Sequence, residues 1–106
     1  MSKYLLEVTY TLDGIKGVMD KGGSARLAAA TELIEGLGGK IESFYFAFGG
    51  TDVFVVADLP DDVSAAAAAL TVGAAGGATT RTVSLLTPAQ VDAAVNKKVK
   101  FRPPGR

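Results

Sequence analysis

The sequence predicts an α+β domain: a four-stranded antiparallel sheet with two main helices on one face, a short third helix after the last strand, and an extended basic tail. Three observations lead there. Four segments either alternate apolar and polar side chains or concentrate β-branched and aromatic residues, as strands do. Two intervening segments space their apolar residues at helical intervals, one after the first strand and one after the third. Clusters of glycine, in a chain that holds 13 of them, punctuate the boundaries.

Residues 3–11 (KYLLEVTYT) place Tyr4, Leu6, Val8 and Tyr10 on one side, with Lys3, Glu7, Thr9, Thr11 and Leu5 on the other, a half-buried strand. Helical spacing follows from residue 12 but breaks at Gly22 and Gly23. The expectation is a short helix near residues 13–20 and a main helix over 24–37. Ser24 can cap the expected main helix, whose apolar face carries Leu27, Ala30, Leu33, Ile34 and Leu37, and Gly36, Gly38 and Gly39 close it. Residues 40–48 (KIESFYFAF) and 52–58 (DVFVVAD) form a hairpin around Gly49, Gly50 and Thr51. Pro60 and Asp61 open the second main helix, an alanine run suited to close packing on a sheet, which Gly73, Gly76 and Gly77 end. Residues 79–86 (TTRTVSLL) supply the fourth strand. Thr87, Pro88 and Gln90 then form a capping box for a short helix ending near Asn96. This βαββαβ order is the ferredoxin-like plan.

A chain of 106 residues with 48% apolar content builds one domain, read as residues 1–98 with 99–106 as the tail. The absence of His and Cys excludes Cys/His zinc sites, His- or Cys-ligated haem, disulfides, thiol nucleophiles and Ser-His-Asp triads. Carboxylate, lysine, tyrosine and backbone chemistry remain, and no metal or cofactor is expected. A net charge of zero argues against a dedicated nucleic-acid binder. The average hides a split, however. Residues 97–106 carry Lys97, Lys98, Lys100, Arg102 and Arg106 with no acid, which leaves 6 basic against 11 acidic side chains in residues 1–96, a balance of −5. No segment is apolar enough to span a bilayer, so no membrane partner and a cytoplasmic location are the expectation.

Two helices cover one face of such a sheet, and the other face of a monomer should be mostly polar. The middle strands do not comply. Residues 40–48 carry Phe44, Phe46 and Phe48 on one side and Ile41, Tyr45 and Ala47 on the other, and residues 52–58 are apolar on both. The expected cover is a second copy of the chain, giving a homodimer or higher homo-oligomer. The competing arrangement has the third helix and tail folded back over that face. With Phe44, Val83 and Leu85 placed toward the helices, the open face would also hold Glu7, Thr9, Ser43, Tyr45, Thr82 and Ser84.

The blocks YLLEVTYTLDGIKGV, KGGSARLAA, GGKIESFYFAFGGTDVFVVADLPD and KFRPPG, in that order, resemble the GYD-domain family over nearly the whole chain. The resemblance implies a small ferredoxin-like domain, related in shape to dimeric α/β-barrel proteins, and implies no particular activity. The family's Gly-Tyr-Asp triplet corresponds to Gly50, Thr51 and Asp52, so a role resting on the central tyrosine ring has no counterpart here.

Candidate ligand-binding residues fall into three groups. The break KGGSAR places Gly22 and Gly23 before a helix start, with Lys16, Lys21 and Arg26 near in sequence, a pattern suited to an anionic small molecule. A kinked helix with solvated basic side chains is the plainer reading. Asp52 is either a turn carboxylate bonding local backbone N–H groups or a ligand contact or general base. Tyr10 and Tyr45 offer phenols to a pocket if they are not simply core. The leading expectation is a homo-oligomeric module that binds a small molecule or a protein. The alternatives are a metal-free enzyme of the isomerase or cofactor-independent oxygenase type, using Asp52, Glu7 or Tyr45 and resting on fold analogy, or a purely structural assembly unit. The basic tail is expected to lie across an acidic neighbouring subunit, with nucleic acid the less favoured contact.

Overall fold

The computed structural model describes residues 1–105, so the last basic residue of the tail, Arg106, lies outside the described residues. The elements are β1 (Ser2–Tyr10), α1 (Leu12–Lys21), α2 (Gly23–Gly36), β2 (Lys40–Phe46), β3 (Val53–Leu59), α3 (Asp62–Ala75), β4 (Ala78–Leu85) and α4 (Pro88–Val95). The strands form one antiparallel sheet in the order β2-β3-β1-β4. Helix α2 lies over β2 and α3 over β4, on the same face, which is the ferredoxin-like arrangement.

Local chemistry sets the helix ends. The Thr11 hydroxyl accepts from the Gly14 N–H at the start of α1, and Gly22, at φ 82°, ends it in a region that glycine enters without strain. Asp61 accepts from the Ser64 N–H at 2.8 Å to open α3, and that bond holds its carboxyl below the ordinary 3.8. Helix α3 runs through Gly73 and stops only at Gly76, in the left-handed region at φ 81°. Ala74 and Ala75 propagate the helix past Gly73, so the later glycine supplies the stop. The capping box of α4 is present in both directions, with Gln90 N–H to Thr87 Oγ1 at 3.2 Å and Thr87 N–H to Gln90 Oε1 at 2.7 Å.

The core lies between the sheet and α2 and α3, built on Tyr4, Ile34, Val53, Val55, Ala57, Leu59 and Ala65. The Tyr4 phenol donates to the Asp62 carboxylate, which together with burial raises its pKa above 10. Phe44 and Phe46 meet edge to face, with ring centroids 5.5 Å apart. Phe48, expected inside the strand, instead leaves it at φ 55° and stacks on Phe46.

Two side assignments differ from the sequence expectation. The pairing of Ile41 with Ala57 and of Ser43 with Val56 leaves Glu42 as the extra residue of a β-bulge. The bulge reverses the phase of alternation, so Ile41 joins Phe44 and Phe46 against the core rather than Tyr45 on the open face. In β4 the opposite correction applies: Ser84, Thr82 and Thr80 stand opposite Tyr4, Leu6 and Val8 and therefore share the helix-covered side, while Arg81, Val83 and Leu85 face outward. The cover on that side is partial: Thr80 is half-buried, whereas Thr82 and Ser84 are exposed and line a groove against Tyr4, Asp62 and Ala65.

The open face thus carries Leu5, Phe54, Val56, Val83 and Leu85, with Tyr45 at its rim. Lys3 ties this face together through Glu42 and, at 3.0 Å, Asp58, and these two bonds, Glu42 first, hold its ammonium pKa above 10.5. The third helix does not fold back over it: α4 has no buried residue, and every described residue after it is exposed. Among the described residues, no helix is long and apolar enough to cross a membrane.

Candidate functional site

At one end of the sheet β1 finishes at Tyr10 and β4 begins opposite it at Ala78. The α3–β4 turn is bonded to the start of α1 there. Thr11 N–H donates to the Gly77 carbonyl at 3.0 Å, and the Thr11 hydroxyl donates to the Gly76 carbonyl at 2.9 Å. A Cβ at Gly14 would stand 1.9 Å from the Gly77 oxygen, so the approach of helix to turn requires glycine at that position.

This docking leaves a cleft of about 440 Å³ walled by α1, the start of α2, the end of α3 and the glycine turn. Tyr10, Asp13, Arg26, Thr71 and Val72 contribute side chains, and Gly14, Gly17, Gly76 and Gly77 contribute backbone. Beneath it, between the sheet and the two main helices, lies an apolar cavity of about 90 Å³ lined by residues such as Leu6, Val8, Leu33, Phe44 and Val55. Tyr10, Arg26, Val72 and Ala78 belong to the walls of both. The pair therefore presents an apolar floor below a polar mouth.

The polar side chains of the cleft are Tyr10, Asp13, Arg26 and Thr71, and of these Tyr10 and Arg26 also wall the cavity below. Burial pushes the Tyr10 phenol above its ordinary 10.0, against the opposing pull of the Arg26 guanidinium beside it. Both ion pairs among the described residues are made by Lys3, and none engages Arg26, although Asp13 lines the same cleft. A guanidinium without a carboxylate partner, next to a phenol and above an apolar floor, offers hydrogen bonds to an anion.

Asp52 serves the frame of this site. Its carboxylate accepts the Tyr10 N–H at 2.8 Å, its own N–H donates to the Val8 carbonyl at 2.8 Å, and its carbonyl accepts the Ala47 N–H at 2.9 Å. The bond to Tyr10 crosses to another strand instead of closing a local turn, so Asp52 fastens the β2–β3 loop to the end of β1. Gly50 of the same triplet accepts from the Thr9 hydroxyl at 3.4 Å.

Of the seven residues singled out in the sequence, Tyr10 and Arg26 meet in the cleft, and Asp52 stands behind Tyr10. Lys16 is exposed on α1, and Tyr45, 71% exposed, is on the far face of the sheet. Gly22 and Gly23 make a tight junction between two helices: Gly22 bonds the Val18 carbonyl at 2.7 Å, and a Cβ at Gly23 would press on the Phe46 ring at 3.0 Å. Glu7, the remaining acid of the catalytic alternative, faces outward opposite Phe54 and Arg81. The sequence reading did not assign Gly14, Gly76 and Gly77 to the site. The available signal is the Thr11-to-Gly14 start of α1 together with paired glycines after a helix, a combination that means close backbone contact only once the two segments are known to be neighbours.

No curated protein and no solved structure matches the chain. The family model described as the GYD domain matches residues 4–95, which takes in all four helices and all four strands but for the first two residues of β1, and the chain belongs to the GYD domain family.

Proposed function

We propose that the protein is a small-molecule-binding module whose site is the cleft at Tyr10 and Arg26, and that its ligand is an organic anion with an apolar body. The observation that carries this reading is the unpaired Arg26 guanidinium at the mouth of an apolar recess. A volume of about 440 Å³ lies in the range that small ligands occupy. The anionic head meets Arg26 and Tyr10, and the body points toward Val72 and Ala78. Titration of the labelled protein with phenylacetate and octanoate, and with the matching alcohols, tests it. Shift changes are expected at Arg26, Gly76 and Gly77 for the acids, with about tenfold weaker binding of the alcohols and of the Arg26→Gln variant to the acids. Equal affinity for acid and alcohol, or no change at those amides, overturns it.

A second reading, that the chain self-associates, is favoured by the open face. Leu5, Phe54, Val56, Val83 and Leu85 form an apolar stripe that no element among the described residues covers. A second copy on that face buries the stripe on both sides of a twofold axis. Sedimentation velocity at micromolar concentration is expected to show more than the 10.8 kDa of one chain, and a monomer overturns the reading.

A further inference from the structure

We propose that α4 and the basic residues behind it form an exchanged arm that packs on the acidic body of a second copy of this chain. This inference rests on the self-association reading and adds an element that the sheet face does not include.

The first observation is shape. The radius of gyration is 16.9 Å, against about 13 Å for a compact chain of this length. The longest axis is 58 Å, whereas a nine-residue strand such as β1 spans about 30 Å. The excess comes from the segment after β4, which leaves the sheet at the end opposite the cleft.

The second is a helix with nothing to pack on. Helix α4 has 8 residues and buries none of them. Isolated helices shorter than about 12–15 residues are marginal in water, and a capping box adds only about 1 kcal/mol. Val91 and Val95, one turn apart, are 47% and 77% exposed, and Val99 and Phe101 continue the apolar series at 78% and 76%. Such a series on a capped helix and an extended strand is a contact surface without its counterpart.

The third is charge, which selects the occupant. Lys97, Lys98, Lys100 and Arg102 lie behind α4, whereas residues 1–87 carry 6 basic and 10 acidic side chains, a balance of −4. On the open face itself Glu7, Glu42 and Asp58 are matched by Arg81, Lys3 and Lys40, so the surplus acid lies on the rest of the body. No described residue of the arm is buried against its own body. A twofold-related copy brings an identical body within reach, and reciprocal exchange satisfies both arms without leaving a free surface for further growth.

Sedimentation equilibrium of the full chain tests the proposal, with three sets of substitutions at exposed positions. One reverses the arm charge (Lys97→Glu, Lys98→Glu, Lys100→Glu and Arg102→Glu), one removes its apolar contacts (Val95→Ser and Phe101→Ser), and one places a charge on the sheet face (Val83→Lys). Both arm variants are expected to raise the dimer dissociation constant about tenfold or more, and added salt is expected to weaken the unmodified dimer and to narrow its gap to the charge-reversed variant. Arm variants that dimerise like the unmodified chain, while Val83→Lys does not, overturn the arm and leave the face. A monomeric unmodified chain overturns both. Unchanged sedimentation of the charge-reversed variant with loss of retention on a DNA duplex assigns the arm to nucleic acid and also overturns the proposal.

Discussion

Gly14 and Gly17 are one turn apart on the same helix, and alanine should have opposite effects at the two. At Gly17 a Cβ meets nothing within 4 Å, so Gly17→Ala gains helix propensity and reduces unfolded-chain entropy, stabilising the protein by about 0.5–1 kcal/mol. At Gly14 the same gain is opposed by a Cβ placed 1.9 Å from the Gly77 oxygen and 3.0 Å from the Tyr10 ring. Real Cβ contacts essentially never fall below 3.0 Å, so α1 has to withdraw by more than 1 Å from backbone that is itself held in a turn. That movement strains or breaks both Thr11 bonds to the turn, at about 1 kcal/mol each, and adds about 1–3 kcal/mol of overpacking. After about 1 kcal/mol of propensity is credited, Gly14→Ala should destabilise by about 2–4 kcal/mol. Urea unfolding followed by far-UV circular dichroism measures both variants, with equal slopes required for the comparison. A Gly14→Ala protein as stable as Gly17→Ala would refute the close approach of α1 to the glycine turn, and with it the geometry of the cleft.

Asp52→Ala should cost about 1–3 kcal/mol, because the Tyr10 N–H loses its acceptor, while Asp52→Asn keeps an oxygen there and should cost clearly less; equal losses would mean that the charge itself matters. Leu59, with no exposed surface, should lose about 2–5 kcal/mol on truncation to alanine, read from the same unfolding curves. Toward acid, the depressed Asp61 carboxyl contributes stability that is fully present above its unfolded value near 3.8 and fades as pH falls through the folded value; Asp61→Ala should flatten that part of the profile. Toward alkali, Tyr4 and Tyr10 hold their protons longer folded than unfolded, so their contribution is full below pH 10.0 and declines as pH rises through the folded values, which absorbance at the phenolate band will follow.

The order of elements was legible because it rests on local signals: alternation in β1, the alanine run of α3, and the reciprocal Thr87 and Gln90 cap. Sides were harder to read. In KIESFYFAF strict alternation separates Ile41 from Phe44, and only the pairing of β2 with β3 reveals the bulge at Glu42 that reunites them. In TTRTVSLL both sides mix polar and apolar residues, so hydrophobicity alone favoured the Val83 side, and only the register with β1 shows that Thr80, Thr82 and Ser84 share the side of Tyr4, Leu6 and Val8. Two site residues, Tyr10 and Arg26, were within reach of the sequence reading as separate candidates. Their meeting depends on α2 lying beside the end of β1, and the part of Gly76 and Gly77 depends on a bond to Thr11 across most of the chain.

The first strand of the domain sits at the centre of the sheet and cannot be completed early. β1 lies between β3 and β4, with Lys3 opposite both Asp58 and Leu85. The hairpin of β2 and β3 closes over a short loop, but both edges of β1 wait for segments far along the chain. High sequence separation between paired strands slows folding, because loop-closure entropy is lost before the contacts form. The rate-limiting step should therefore be the docking of β1 into the gap between β3 and β4. Until then the β1 segment is an unpaired apolar strand, the part of the newborn chain most exposed to wrong pairing.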